Sequence, residues 1–150
     1  MVRNADELIF YQIYPKSFCD GNGDGVGDVE GILSKIEYLK DLGVNAVWLT
    51  PCFESPNADN GYDISDYLSL SPAFGTMEKF EEMLARFHGN GIAVILDLVA
   101  NHTSTKHPWF VEARKSKDNP YRHYYIWRKT PPNDWQSLFG GSAWEYDGQT

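Results

Sequence analysis

The chain of 150 residues is 42% hydrophobic and 15% aromatic, which is the composition of a globular domain with a real core and not of a disordered segment. Its formal net charge of -8 offers no concentration of Lys and Arg for nucleic acid or an anionic membrane surface, so a neutral or cationic ligand is the better match. No apolar run nears the roughly 20 residues that span a bilayer, and residues 1–10 lack the apolar stretch of a secretory leader; the expectation is a cytoplasmic protein.

Residues 8–14 (LIFYQIY) form a short apolar run closed by Pro15, which has no amide hydrogen for a sheet ladder and so marks a strand's end. A glycine-punctuated acidic loop follows over residues 20–31. Val29, Ile32, Leu33, Ile36, Leu39 and Leu42 then recur at helical spacing as one apolar stripe, with Gly43 where a left-handed terminator belongs. Residues 44–49 read as a second buried strand closed by Pro51, and a long loop carries Pro56, Asn60 and Gly61. Thr76 caps a helix with Met77, Phe80, Leu84 and Phe87 on one face, ended by Gly89, Asn90 and Gly91. The aliphatic run from Ile92 up to Asp97 reads as a third strand, buried on both faces. Strands alternating with single amphipathic helices mean βαβ crossovers and a parallel sheet, an α/β fold. After His102 the alternation fails. One short helix is expected over residues 109–116, then loops and short strands, and an excursion of that length is usually functional.

With only Cys19 and Cys52, no disulfide framework is possible and two free thiols are expected, although both follow predicted strands, which leaves a bridge open. Four histidines occur with no HExxH or CxxC pattern, which argues against zinc.

Three groups of residues can carry chemistry. In DGNGDGVGD, Asp20, Asn22, Asp24 and Asp28 stand at alternate or near-alternate positions, with glycines that let the backbone wrap and the Val26 carbonyl as a further donor. Hard cations such as calcium take six to eight oxygens at roughly 2.3 to 2.6 Å, and this spacing converges several on one point. Position twelve of the loop is Gly31, where a helix-loop-helix calcium hand has a bidentate Glu, and a strand precedes it; a structural metal loop on a β-to-α connection is expected, with a solvated acidic turn as the alternative. The second group is Asp59, Asn60, Gly61, Tyr62, Asp63 and Asp66. These residues are either turn-formers beneath a tyrosine lid, or a ring and a carboxylate that hold the apolar face and the hydroxyls of a sugar. The third is Asp97, Asn101 and His102, just past strand three. Each has a structural explanation by itself, but both loops leave the same end of one parallel sheet, where reactive floors are built.

YQIYPKSF, DGNGDGVGD, AVWLTPCFESPNADNGYDISDY, DLVANHTS and FGGSAW, in this order, resemble the N-terminal part of the α-amylase family of glycoside hydrolases, closest to the oligo-1,6-glucosidase, dextran glucosidase and α-glucosidase branch. The resemblance covers nearly the whole chain. It implies the first three βα units of a (β/α)8 TIM barrel over residues 1–102, and the start of a subdomain inserted after strand three over residues 103–150. Carried over by position, Tyr62 resembles the ring that stacks on the sugar, Asp59 a hydroxyl acceptor, His102 the histidine that contacts the sugar, and Asp97 the carboxylate that props the site. Phe139 and Trp144 resemble residues of the leaving-group side. Asp20, Asn22, Asp24, Val26 and Asp28 match the calcium loop of this branch.

The family hydrolyses α-glucosidic bonds with retention, using an Asp after strand four, a Glu after strand five and a supporting Asp after strand seven. None of these has a counterpart within residues 1–150, so catalytic carboxylates are expected beyond Thr150. The expectation is a segment of a retaining α-glucosidase that binds short α-gluco-oligosaccharides, α-1,6 or α-1,4 linked, and that needs the rest of its own barrel to act. The alternatives are a non-catalytic sugar- or protein-binding relative, a trehalose- or sucrose-converting enzyme, and a small calcium-binding module.

Overall fold

The computed structural model describes residues 5–148, which divide after Ser104 into two compact units. The first unit runs β1 (Phe10–Ile13), α1 (Pro15–Phe18), α2 (Val29–Ser34), α3 (Ile36–Asp41), β2 (Ala46–Leu49), β3 (Phe53–Glu54), β4 (Asp66–Leu70), α4 (Met77–Gly89) and β5 (Ala93–Leu96). Its main sheet is parallel, in the order β1-β2-β5. Gln12 aligns with Trp48 and Trp48 with Ile95, while Ile13 aligns with Leu49 and Leu49 with Leu96.

Side chains alternate along a strand, so this register separates two faces. One carries Ile13, Val47 and Leu49, which are fully buried against Ile32, Ile36, Leu39, Phe80, Met83 and Phe87. Each such side chain contributes roughly 1.5 to 3 kcal/mol by leaving water. The other face carries Phe10 (50% exposed), Trp48 (37%) and Ile95 (42%). The third strand is therefore not buried on both faces. Among the described residues it is an edge strand covered on its helix side alone, and a uniform apolar run cannot reveal which face is open.

The helical stripe of residues 29–42 is present but broken. Lys35 leaves helical geometry (φ -105°, ψ 5°), which divides the expected single helix into α2 and α3 while keeping Ile32, Ile36 and Leu39 on the core side. Gly43 takes φ +84°, as a helix terminator should. Thr76 accepts from the Lys79 amide at the start of α4. Within α4, Met77 is 39% exposed, and the core position falls to Met83 instead, in step with Phe80 and Phe87. The long loop after β2 contains an element the sequence did not reveal: β3 and β4 pair antiparallel, with a register shift between Phe53 and Glu54. A two-residue strand with an irregular register leaves no readable period.

Cys19 and Cys52 are free thiols, and Cys19 follows the helical turn α1 rather than a strand. Burial pushes the Cys52 thiol up to about 11, which makes it unreactive. No helix among the described residues is long and apolar enough to cross a membrane.

Among its described residues the second unit contains one α-helix, α5 (Pro108–Ala113), opened by Pro108 and by the His107 ring, which accepts from the Trp109 amide. A 3-10 turn, Pro120–Tyr124, follows. The buried Arg122 lies 3.6 Å from the Trp127 ring centroid and donates to the Ala113 carbonyl. Arg114 pairs with Asp147 at 2.5 Å. A short hairpin bridges Gln136 and Ser142.

Candidate functional site

The carboxyl ends of β2 and β5 and the loop after β2 converge on Asp97. Its Oδ1 accepts from the Trp48 indole N–H at 2.6 Å, and its Oδ2 accepts from the Tyr62 hydroxyl at 3.0 Å. Both carboxylate oxygens are thus engaged as acceptors. Burial, then the hydrogen bond and the charge of Asp97, raise the Tyr62 phenol above its ordinary value, so it remains a neutral donor.

His102 is tied into the same group. Its Nε2 lies 3.1 Å from the Tyr62 carbonyl and its Nδ1 lies 3.1 Å from Asn101 Nδ2. A carbonyl can only accept, so Nε2 carries the proton and Nδ1 accepts from Asn101. The stretch leading to His102 is held from β4, where the Tyr67 hydroxyl reaches the Val99 carbonyl at 2.7 Å and the His102 carbonyl at 3.0 Å.

The loop that presents Tyr62 is built around Asp63. The Asp63 carboxylate accepts from Ser55 Oγ at 2.8 Å and from the Ala58 and Asp59 amides, both at 3.0 Å. Burial alone would raise this carboxyl, but the three donors outweigh it and hold it below the usual range. Asn60 (φ +49°) and Gly61 (φ +96°) then turn the chain, and the Tyr62 amide donates to the Asp59 carbonyl at 2.9 Å. The half-buried Asp59 carboxylate takes no hydrogen bond from the described residues. Beside these residues an open cleft of about 500 Å³ is lined by Gln12, Tyr14, Thr50, Asn60 and Tyr62. The Thr50 hydroxyl is buried there without a partner.

Of the residues expected from sequence, Asp59, Tyr62, Asp97 and His102 come together in the first unit. Phe139 belongs to the second unit, at the apex of the hairpin and 83% exposed, and Trp144 donates its indole N–H to Asn133 at 2.9 Å. Trp48, Tyr67 and Asp63 as a loop anchor were missed. The available signal for Trp48 was an indole in an otherwise aliphatic strand, since a Trp N–H in a core needs a partner.

The side chains of the acidic loop turn back onto its own backbone. Asp20 accepts from the amides of Asn22, Gly23 and Gly25, Asn22 from Asp24, and Asp24 from Val26, while Gly23 and Gly25 adopt positive φ. Those hydrogen bonds hold the Asp20 carboxyl below its ordinary value, the Gly25 amide most of all. Asp28 has a second role. Its Oδ1 caps α2 through the Gly31 amide at 2.6 Å and also accepts from the Gly21 amide at 3.2 Å. Gly31 lies so close to the Cys19 carbonyl that a Cβ would stand 1.8 Å from its oxygen, which excludes a Glu at that position. Among the described residues no three His, Cys, Asp or Glu side chains gather as a metal cluster.

The sequence profile of the alpha-amylase catalytic domain matches residues 12–150. The chain belongs to the alpha-amylase family. It is 60% identical to the oligo-1,6-glucosidase of Parageobacillus thermoglucosidasius over 148 residues, which is 96% of this chain and 26% of that protein. Among solved structures, the trehalose-6-phosphate hydrolase of Bacillus licheniformis superposes with a TM-score of 0.92 at 53% identity, covering 95% of this chain and 27% of that one. The isomaltulose synthase of Klebsiella sp. LX3 gives 0.92 at 50% identity, covering 95% and 26%. The chain thus spans about a quarter of the length of these relatives. In alpha-amylase terms β1, β2 and β5 are the first three strands of the N-terminal part of the TIM barrel, and the Asp97 cluster stands at their carboxyl ends, where such barrels keep their active sites.

Proposed function

We propose that this chain is the sugar-binding portion of a retaining α-glucosidase that acts on α-1,6 or α-1,4 bonds of short gluco-oligosaccharides. The observation that carries the reading is the Tyr62–Asp97–His102 cluster at the carboxyl ends of the first barrel strands, in a chain 60% identical to an oligo-1,6-glucosidase. Tyr62 offers its ring to the apolar face of the glucosyl unit, and the Asp59 carboxylate accepts from its hydroxyls. Both His102 nitrogens are engaged within the chain, so a sugar hydroxyl that reaches His102 displaces either Asn101 or the Tyr62 carbonyl. Asp97 orients Tyr62 and does not transfer protons. By resemblance to the family, Phe139 is assigned to the leaving-group side. Retention requires two carboxyl groups about 5 to 5.5 Å apart, and these are assigned to later barrel strands; the 150-residue chain alone is inactive.

The acidic loop is proposed to hold a structural calcium ion on the oxygens of Asp20, Asn22, Asp24, the Val26 carbonyl and Asp28 Oδ2. What supports the reading is the donor set, which is all oxygen as a hard cation requires; a bound ion would pin the β1-to-α2 connection and take no part in bond cleavage.

The test is glucose release by the full-length enzyme from isomaltose, maltose, sucrose and trehalose phosphate. Turnover of isomaltose or maltose supports the reading. Exclusive turnover of trehalose phosphate or isomerisation of sucrose favours the second reading, to which the similarity to a trehalose-6-phosphate hydrolase and an isomaltulose synthase points. No turnover of any of them leaves a non-catalytic sugar binder.

A further inference from the structure

We infer that Trp48 is a positioning residue of the sugar site, acting through Asp97 on Tyr62. This rests on the α-glucosidase reading above. Trp48 lies on β2, aligned with Gln12 on one side and Ile95 on the other, on the sheet face that the helices do not cover. Ile95 precedes Asp97 by two residues, so both point to that same face. From there the indole N–H donates to Asp97 Oδ1 at 2.6 Å.

The consequence lies in the second oxygen. A carboxylate held at one oxygen only can rotate about its Cβ–Cγ bond; held at both, its plane is fixed. With Trp48 on Oδ1, Asp97 presents Oδ2 to the Tyr62 hydroxyl in one orientation, at 3.0 Å. The phenol's only proton is spent on that bond, so Tyr62 gives a ligand its ring face. The Tyr62 backbone carbonyl also accepts from His102 Nε2, so the histidine is tied to the same residue. Trp48, Asp97, Tyr62 and His102 form one connected network, in which Trp48 supports groups that touch the sugar.

Phenylalanine keeps an aromatic ring and removes the N–H together with part of the indole's volume, so Trp48→Phe in the full-length enzyme is read against the same change in a background where the hydrogen-bond path is cut. The stacking ring binds ground state and transition state alike, so the loss falls on KM more than on kcat, with kcat/KM on isomaltose or maltose down about tenfold. In a Tyr62→Phe or an Asp97→Ala background the same change has less than about a twofold effect, because the path it acts through is already cut. Melting of each variant reports folding, and the Tyr62→Phe background serves if Asp97→Ala does not fold. In a spectrum of 15N-tryptophan enzyme, the Trp48 indole proton lies downfield and moves upfield in Asp97→Ala. Three results overturn the proposal: unchanged kcat/KM in Trp48→Phe, an equal loss in either background, or an indole signal indifferent to Asp97. Wild-type enzyme that turns over no α-glucoside sinks the underlying functional reading instead, and is told apart because the failure appears before any substitution.

Discussion

Replacing Asp63 with Ala removes the anchor of the loop that carries Asp59 and Tyr62. Three hydrogen bonds end on this one carboxylate, from Ser55 Oγ and from the Ala58 and Asp59 amides. Bonds to a charged acceptor reach about 1.5 to 3 kcal/mol each, but Asp63 is half-buried and water replaces part of what is lost, so about 2 to 3 kcal/mol for the set is the reasonable sum. Hydrogen exchange in the full-length enzyme reads this directly. The Ala58 and Asp59 amides should exchange about 30- to 150-fold faster in Asp63→Ala, while the amides of β2 and α4 keep their protection. The folded Asp63 carboxyl titrates below its unfolded value, so its contribution is fully present above the unfolded value and is lost as pH falls through the folded one. Wild-type protection of the loop should therefore be level from pH 7 to about 5 and decline below about 4. Equal exchange in the two proteins, or a wild-type decline already between pH 7 and 5, would refute the anchoring role.

Two further outcomes follow from the same geometry. The 150-residue chain expressed alone should lack a cooperative melt and should bind a hydrophobic dye, because Phe10, Trp48 and Ile95 leave one sheet face open; a sharp two-state transition of a monomer contradicts this. Asp24→Ala should abolish calcium-dependent stabilisation of the full-length enzyme as followed by melting with and without chelator, while kcat at saturating calcium is retained; an unaltered calcium response removes the loop from the metal site.

The parts of the fold that were legible are those with a local cause. The stripe Ile32, Ile36 and Leu39, the Gly43 terminator and the Thr76 cap each follow from backbone chemistry within a few residues, and together they give three strands joined by helices. Asp59, Tyr62, Asp97 and His102 were legible as a group because one end of a parallel sheet gathers its loops, and because the blocks around them resemble a known family. What stayed hidden depends on partners distant in the chain. Trp48 looked like one more apolar residue of a strand, since neither its open face nor the carboxylate 49 positions on is visible in a run such as AVWL. Asp63 read as a turn-former because its acceptors are satisfied by backbone amides, which every sequence has. Asp28 read as a metal ligand, and its capping of α2 shows the same side chain serving the helix.

Glucose release from isomaltose by the full-length enzyme, with the anomer observed as it forms, is the measurement closest to the central claim. The account predicts that the α-anomer appears first, that Tyr62→Phe and Asp97→Ala both lower kcat/KM, and that the 150-residue chain alone releases none. Absence of turnover in the full-length enzyme, or initial release of the β-anomer, would contradict it.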